Sequence, residues 1–241
     1  MTGGLLSATV GDLVASDMRT ADVFERHGID FCCGGRQTLG DACRRASADP
    51  EAVMRELDAL PVDEVPDEDA SGWTLDRLIG HIVSVHHAYV RESLPRLDGW
   101  IAKLVAVHGA RHPELPSVAS AFRRLRAELE QHLMKEEQIL FPYVRELVRL
   151  SDKACCAPRS PFGSVENPIR MMEREHRDAG DELSAIREMT CGFRAPSDGC
   201  TTYNVCMAEL AAFERDLHRH IHLENNILFP RAIALERRPN A

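Results

Sequence analysis

No run of about 18 apolar residues occurs in this sequence, so no segment reads as a membrane-spanning helix. The opening stretch, MTGGLLSATVGDLV, lacks a charged segment leading into a continuous apolar one, as a secretory signal would need. The expectation is a soluble, cytoplasmic protein. Long basic runs are missing too. Lys+Arg 29 against Asp+Glu 38 gives a net charge of -9, which speaks against a nucleic-acid or anionic-membrane partner. Alternating β-branched runs are few, which leaves little basis for a sheet. Disulfide spacing is also absent. Of the 8 cysteines, Cys32-Cys33 and Cys155-Cys156 are adjacent pairs that bridge only with strain, and in the cytoplasm all would be thiols. Cys43, Cys191, Cys200 and Cys206 read as single packed thiols, and Cys155-Cys156 as an incidental loop pair.

The 241 residues, 44% of them hydrophobic, suffice for a large domain plus a small one. Residues 1–60 read as a small helical domain with helices near 10–16, 20–27, 38–46 and 50–60, broken at Gly28 and at Gly34-Gly35. Residues 61–72, PVDEVPDEDASG, are acidic and proline-punctuated, which predicts a linker. Four long periodic segments follow within 73–237, at about 74–107, 117–150, 165–189 and 201–235. The fold class is therefore all-α, an antiparallel four-helix bundle preceded by a small helical domain.

Two stretches carry the chemistry. HLMKEEQILFP, from His132 to Pro142, and HIHLENNILFP, from His220 to Pro230, share the pattern H-x-x-x-E-x-x-I-L-F-P at every spacing. On a helix the His and the Glu of each copy stack one turn apart. Glu128 and Asp216 each precede the histidine by four residues and are candidates for orienting it. Steps of three and four place both pairs on apolar seams: Phe122, Leu125, Leu129, His132, Glu136, Ile139, and Leu210, Phe213, Leu217, His220, Glu224, Ile227. The third segment adds Ile169, Met172, His176, Ala179, Leu183 and Ile186. In the first, His81, His86 and His87 compete. His87 lies on the row Gly80, Val83, Val90, Leu94, Leu97, whereas the rows through His86 and His81 run into Arg96 and Arg91, so His87 is preferred. His87 to His176 spans 89 residues and His132 to His220 spans 88, so the bundle reads as one helical hairpin repeated. His218 and His222 fall off the seam and read as surface residues; His27, His108 and His112, near chain breaks, carry no site signal.

Two uncompensated carboxylates in a core would cost several kcal/mol each, against a whole-domain stability of about 5–15 kcal/mol. A metal centre removes that difficulty. The inferred ligands are His87, His132, His176 and His220 with Glu136 and Glu224, and the pseudo-two-fold repeat points to two ions bridged by the glutamates. Imidazole and carboxylate without thiolate suit iron or manganese, with iron the first choice.

The His-x-x-x-Glu spacing is that of hemerythrin-like bundles, whereas ferritin-like ones use Glu-x-x-His. The whole chain resembles the RIC family, di-iron proteins for repair of iron-sulfur clusters, which join a cysteine-bearing N-terminal domain to a hemerythrin-like domain. The resemblance rests on GIDFCCGGRQTL at 28–39, LIGHIVSVHH at 78–87, HLMKEEQILFP at 132–142, EREHRDAG at 173–180 and HIHLENNILFP at 220–230. It implies the same six ligands, a non-haem di-iron centre with an oxo or hydroxo bridge, and restoration of clusters damaged by nitric oxide or oxidants, by donation of iron. Damaged iron-sulfur proteins would be the partners, and a homodimer is left open. Oxygen-carrying hemerythrins place a further histidine four residues after the third-helix ligand; here that position is Gly180, which leaves a more open site. Cys32 and Cys33, flanked by two glycines, become candidates for iron transfer or redox work. Two other readings stand beside repair: a di-iron enzyme reducing nitric oxide or peroxide, and a gas-sensing or iron-storing module.

Overall fold

The computed structural model describes residues 5–61, 70–151 and 162–237. Most of the expected linker and the Cys155-Cys156 pair lie outside the described residues. The chain is helical throughout its named elements. Four short helices come first: α1 Val10–Ser16, α2 Arg19–Arg26, α3 Leu39–Ala46 and α4 Pro50–Asp58. Their starts follow capping chemistry. The Thr9, Thr38 and Asp49 side chains accept the backbone N–H of Asp12, Asp41 and Glu51, and Pro50 takes the first turn of α4, where no donor is needed. Helix α2 ends on Gly28, whose φ of 65° favours glycine.

Four long helices follow, three of them interrupted by a wide π turn. The first runs as α5 Leu75–His81, the π turn Ile82–His87 and α6 Ala88–His108. The second runs as α7 Leu115–Lys135, the π turn Glu136–Leu140 and α8 Phe141–Ser151. The third is α9 Glu166–Met189, and the fourth is α10 Thr201–His222, the π turn Leu223–Leu228 and α11 Phe229–Glu236. Among the described residues none of these helices is long and apolar enough to cross a membrane.

The chain divides into two compact units. One comprises Met1–Gly80, Val144–Val165 and His218–Ala241, the other His81–Tyr143 and Glu166–Leu217. In the second unit, parts of all four long helices bury apolar side chains, among them Leu97, Phe122, Leu125, Leu183, Leu210 and Phe213. Ion pairs link the helices around that core: Arg126 with Asp98, Arg124 with Glu182, Arg187 with Glu214, and Arg96 with Glu209. These are partly exposed and contribute little each, so burial of the apolar seams holds the helices together. In the first unit, α1 and the chain before α3 are joined by Val10 N–H to the Gln37 carbonyl and Gly11 N–H to the Gly35 carbonyl, 3.0 and 2.8 Å. Glu236 near the end of α11 receives the Val165 N–H at 3.0 Å, and Arg231 donates to the Trp73 carbonyl at 2.6 Å.

The seams read from sequence are buried with two shifts. Ile139 is 51% exposed and Leu140 takes the inward position; on the first helix Ile82 is fully buried and Val83 only partly. Both shifts coincide with π turns, which insert one residue and rotate the following side chains out of a 3.6-residue register.

Candidate metal centre

The π turns occur where the chemistry does. In the second and fourth long helices the Phe141 N–H reaches back to the Glu136 carbonyl and the Phe229 N–H to the Glu224 carbonyl, five residues in each case. Pro142 and Pro230 come next. A proline has no N–H for the carbonyl four residues back and its ring crowds that carbonyl, so an α turn there is disfavoured and a wider one is accommodated. The repeated I-L-F-P thus shapes the turn that begins at, or just before, each glutamate.

His87, Glu136, His220 and Glu224 are fully buried, and His132 and His176 nearly so. Two groups have donor atoms all within 4.8 Å of one another: His87, Glu136, His220, Glu224, and His132, Glu136, His176, Glu224. All six residues singled out by the sequence pattern are therefore brought together, and both glutamates belong to both groups. Glu136 lies 3.4 Å from the Nε2 of His87 and 3.4 Å from that of His132, and Glu224 lies 3.1 Å from His220 Nε2. His132 and His176 face each other Nε2 to Nε2 at 3.0 Å.

The outer side of the rings is also prepared. His87 Nδ1 donates to Glu137 at 2.6 Å, and the ring stacks on Phe141 with centroids 5.8 Å apart. His132 Nδ1 donates to Glu175 at 2.9 Å, and Lys135 pairs with the same carboxylate. An imidazole that donates through Nδ1 to a carboxylate presents its Nε2 lone pair inward, the arrangement found at metal-bound histidines. Hydrogen bonding from His132 holds the Glu175 carboxyl at about 2, with Lys135 adding to it. Burial raises the Glu137 carboxyl, but His87 and Arg91 outweigh it and keep it below its ordinary value.

These two carboxylates, rather than Glu128 and Asp216, hydrogen-bond to histidines of the two groups. Glu128 is exposed. Asp216 accepts from His86 Nδ1 at 3.0 Å, and His86, like His87 after it, is buried. In the sequence Glu137 directly follows Glu136 and Glu175 directly precedes His176, a position that alone reveals no partner on another helix. His222, expected at the surface, is fully buried. Its ring lies 5.9 Å from that of Phe31, and burial pushes its imidazole down to about 4.

Cys32 and Cys33 occupy a turn organised by Asp30, whose Oδ1 accepts both of their N–H groups at 3.0 and 2.9 Å and lies 3.3 Å from Cys32 Sγ. Its hydrogen bond with Cys33, with burial, raises the Cys32 thiol well above its usual range, so it holds its proton. The Cys32 carbonyl receives Asn226 Nδ2 at 3.1 Å and Asn225 Nδ2 at 3.4 Å. Asn225 directly follows Glu224, so the cysteine turn is tied to the segment that carries a ligand.

The donor set fits a cation. Imidazole nitrogens converge with buried carboxylates, their outer nitrogens already engaged where Glu137 and Glu175 stand, and thiolate takes no part in either group. Comparison with known proteins agrees. Residues 78–232 match the Hemerythrin HHE cation binding domain, and residues 6–61 match ScdA_N, a domain of unknown function. The chain is 35% identical over 226 residues to proteins named iron-sulfur cluster repair protein YtfE from Yersinia pestis (strain Pestoides F) and Yersinia pseudotuberculosis serotype O:1b (strain IP 31758). Each match covers 93% of this chain and 96% of the relative.

Proposed function

The chain belongs to the iron-sulfur cluster repair proteins that join an ScdA_N segment to a hemerythrin-like cation-binding domain, and from that premise we propose that it holds two iron ions and returns iron to damaged clusters. The observation that carries this reading is the pair of His₂Glu₂ groups sharing Glu136 and Glu224. Nitrogen and carboxylate donors suit iron or manganese better than a closed zinc site, which usually includes cysteine. Bound there, iron supplies an exchangeable metal pool and open coordination positions for small ligands.

The chain's own residues set how firmly that pool is held. Glu137 and Glu175 keep His87 and His132 facing inward. One turn beyond His176, Gly180 leaves open space: a methyl group placed there would meet nothing within 4 Å. A site without a ligand at that position is less enclosed, which favours release over permanent retention. Cys32 and Cys33 are the proposed acceptors of departing iron, since thiolate is the donor that cluster iron prefers. The raised Cys32 thiol means that metal must displace a proton to bind there.

The test is iron transfer. Iron-loaded protein is mixed with a nitric-oxide-treated cluster enzyme, and recovered activity and the movement of labelled iron are followed together. The expected result is recovery that tracks labelled iron entering the acceptor. Catalytic consumption of nitric oxide or peroxide with an electron donor, without iron transfer, would instead make the protein a reductase.

A further inference from the structure

The opposite ends of α6 and α10 hold a second cluster, which the repair reading does not use. Cys200 directly precedes α10, a helix of 22 residues, and its side chain is exposed. His108, the last residue of α6, is only 4% exposed and points its Nε2 at Cys200 Sγ from 3.3 Å. Thr202 and Tyr203 follow Cys200 in the first turn of α10, at the amino end of the helix. Sequence reading gave Cys200 a packed role and His108 none. The structure leaves Cys200 exposed and buries His108.

The buried His108 ring decides which partner donates. Among the described residues its Nδ1 is buried without a hydrogen-bond partner. A proton on Nδ1 would leave a buried N–H unpaired, whereas a proton on Nε2 leaves only a lone pair, the lesser and commoner defect. His108 therefore donates through Nε2 to a sulfur that stands at the amino end of α10. That is the environment of a thiolate: a helix amino end plus an imidazole. Hydrogen bonding from His108, with the Tyr203 and Thr202 backbone, lowers the Cys200 thiol to about 7.

The charged neighbours restrict what reaches it. His112 Nε2 lies 3.1 Å from Asp198 and its Nδ1 3.2 Å from Glu114, while Arg111 pairs with Asp198. Tyr203 packs its ring against His108 and His112 at 5.5 and 5.8 Å, and burial lifts its phenol to about 12, so it adds no charge. With Asp198 two residues before Cys200, on a chain of net charge -9, anionic electrophiles are disfavoured. No third metal group of ligating atoms assembles here among the described residues, so the cluster is not a further cation site.

We propose that Cys200 is a solvent-facing nucleophilic thiolate, set by His108 and the start of α10, which hydrogen peroxide oxidises to a sulfenate. Sulfur donates a lone pair to one peroxide oxygen, an S–O bond forms and the O–O bond breaks. The departing hydroxide takes the proton of the new sulfenic acid and leaves as water. Sulfur is oxidised by two electrons, the peroxide is reduced, and the sulfenate anion keeps the His108 donor and the helix amino end.

The test uses full-length, iron-loaded protein. Trace iodoacetamide labelling is quantified by peptide mass spectrometry from pH 5.5 to 9.5, with Cys191, exposed at the other end of the same loop, as internal control. Against an ordinary thiol, the thiolate fraction at pH 7 rises about 15-fold while nucleophilicity falls roughly fivefold, for a rate about threefold higher. Half-maximal labelling of Cys200 is expected near pH 7, and after brief peroxide exposure dimedone should mark Cys200 ahead of Cys191. His108→Gln should move the half-maximum upward with iron content unchanged. A wild-type half-maximum at pH 8 or above, or dimedone capture at Cys200 no greater than at Cys191, would overturn the proposal whether or not the variant folds.

Discussion

His132 and His176, on two different long helices, face each other Nε2 to Nε2 at 3.0 Å inside the bundle. Two such nitrogens can share a proton between them or ligate a cation, and the carboxylates of Glu136 and Glu224 beside them favour the cation. The two groups differ in their histidines and coincide in their glutamates, which gives ligand substitutions different signatures.

Removing a shared ligand should therefore disturb both metals, and removing an unshared one chiefly its own. Glu136→Ala is expected to take bound iron from about two per chain to well below one, while His176→Ala leaves roughly one. Elemental analysis of protein purified after iron-replete expression, with the visible absorption spectrum, checks both. Equal losses in the two variants would show that Glu136 does not bridge.

Glu137 and Glu175 act on the metal through the rings they hold. Replacing either by Gln keeps the shape and removes the charge that fixes the imidazole, so iron should be held about 10- to 100-fold less tightly. Competition with a chelator measures this. Glu128→Gln serves as the control, because Glu128 is exposed, and it should behave as the parent protein does.

The converging His and Glu residues were legible in the sequence because their pattern repeats. His132-x-x-x-Glu136 and His220-x-x-x-Glu224 stand on apolar rows where ionisable groups do not belong, and a duplicated anomaly at 88 residues needs a common cause. The outer carboxylates were not legible. Glu137 and Glu175 reach their histidines across helices, and no row on one helix reveals a partner on another. Nor could a 3.6-residue period reveal the π turns, which is why Ile139 was placed inward and is exposed. His222 was misplaced for a related reason: it is buried beside a neighbour distant in sequence, Phe31.

Gly35 has a steric role that its sequence neighbourhood does not disclose. A methyl group there would lie 2.6 Å from Asn226 Cγ, and the Asn226 amide is what ties the Phe31 and Cys32 carbonyls to the fourth long helix. Gly35→Ala should destabilise the fold by about 1–3 kcal/mol. Asn226→Ala removes the clash along with the hydrogen bonds, so the double variant should be less destabilised than the sum of the singles. A double-mutant cycle by urea unfolding reads the coupling, and strict additivity would separate the two positions.

Pro142 offers a test in which stability and metal retention move in opposite directions. Its missing N–H withholds a partner from the Gln138 carbonyl, within the π turn Glu136–Leu140 that opens on a shared ligand. Pro142→Ala restores that donor and lets the turn tighten toward α geometry. In the metal-free protein the recovered hydrogen bond should contribute about 1 kcal/mol, visible as a higher melting temperature. Tightening would also rotate Glu136 relative to the side chains after the turn and spoil its placement near both His87 and His132, which stand 3.4 Å away on either side. Iron content should therefore fall even as the metal-free chain becomes harder to unfold. Calorimetry of the stripped protein and elemental analysis of the loaded one are the two measurements. A variant that keeps its full iron complement, with or without added stability, would show that the proline does not shape the metal-binding turn.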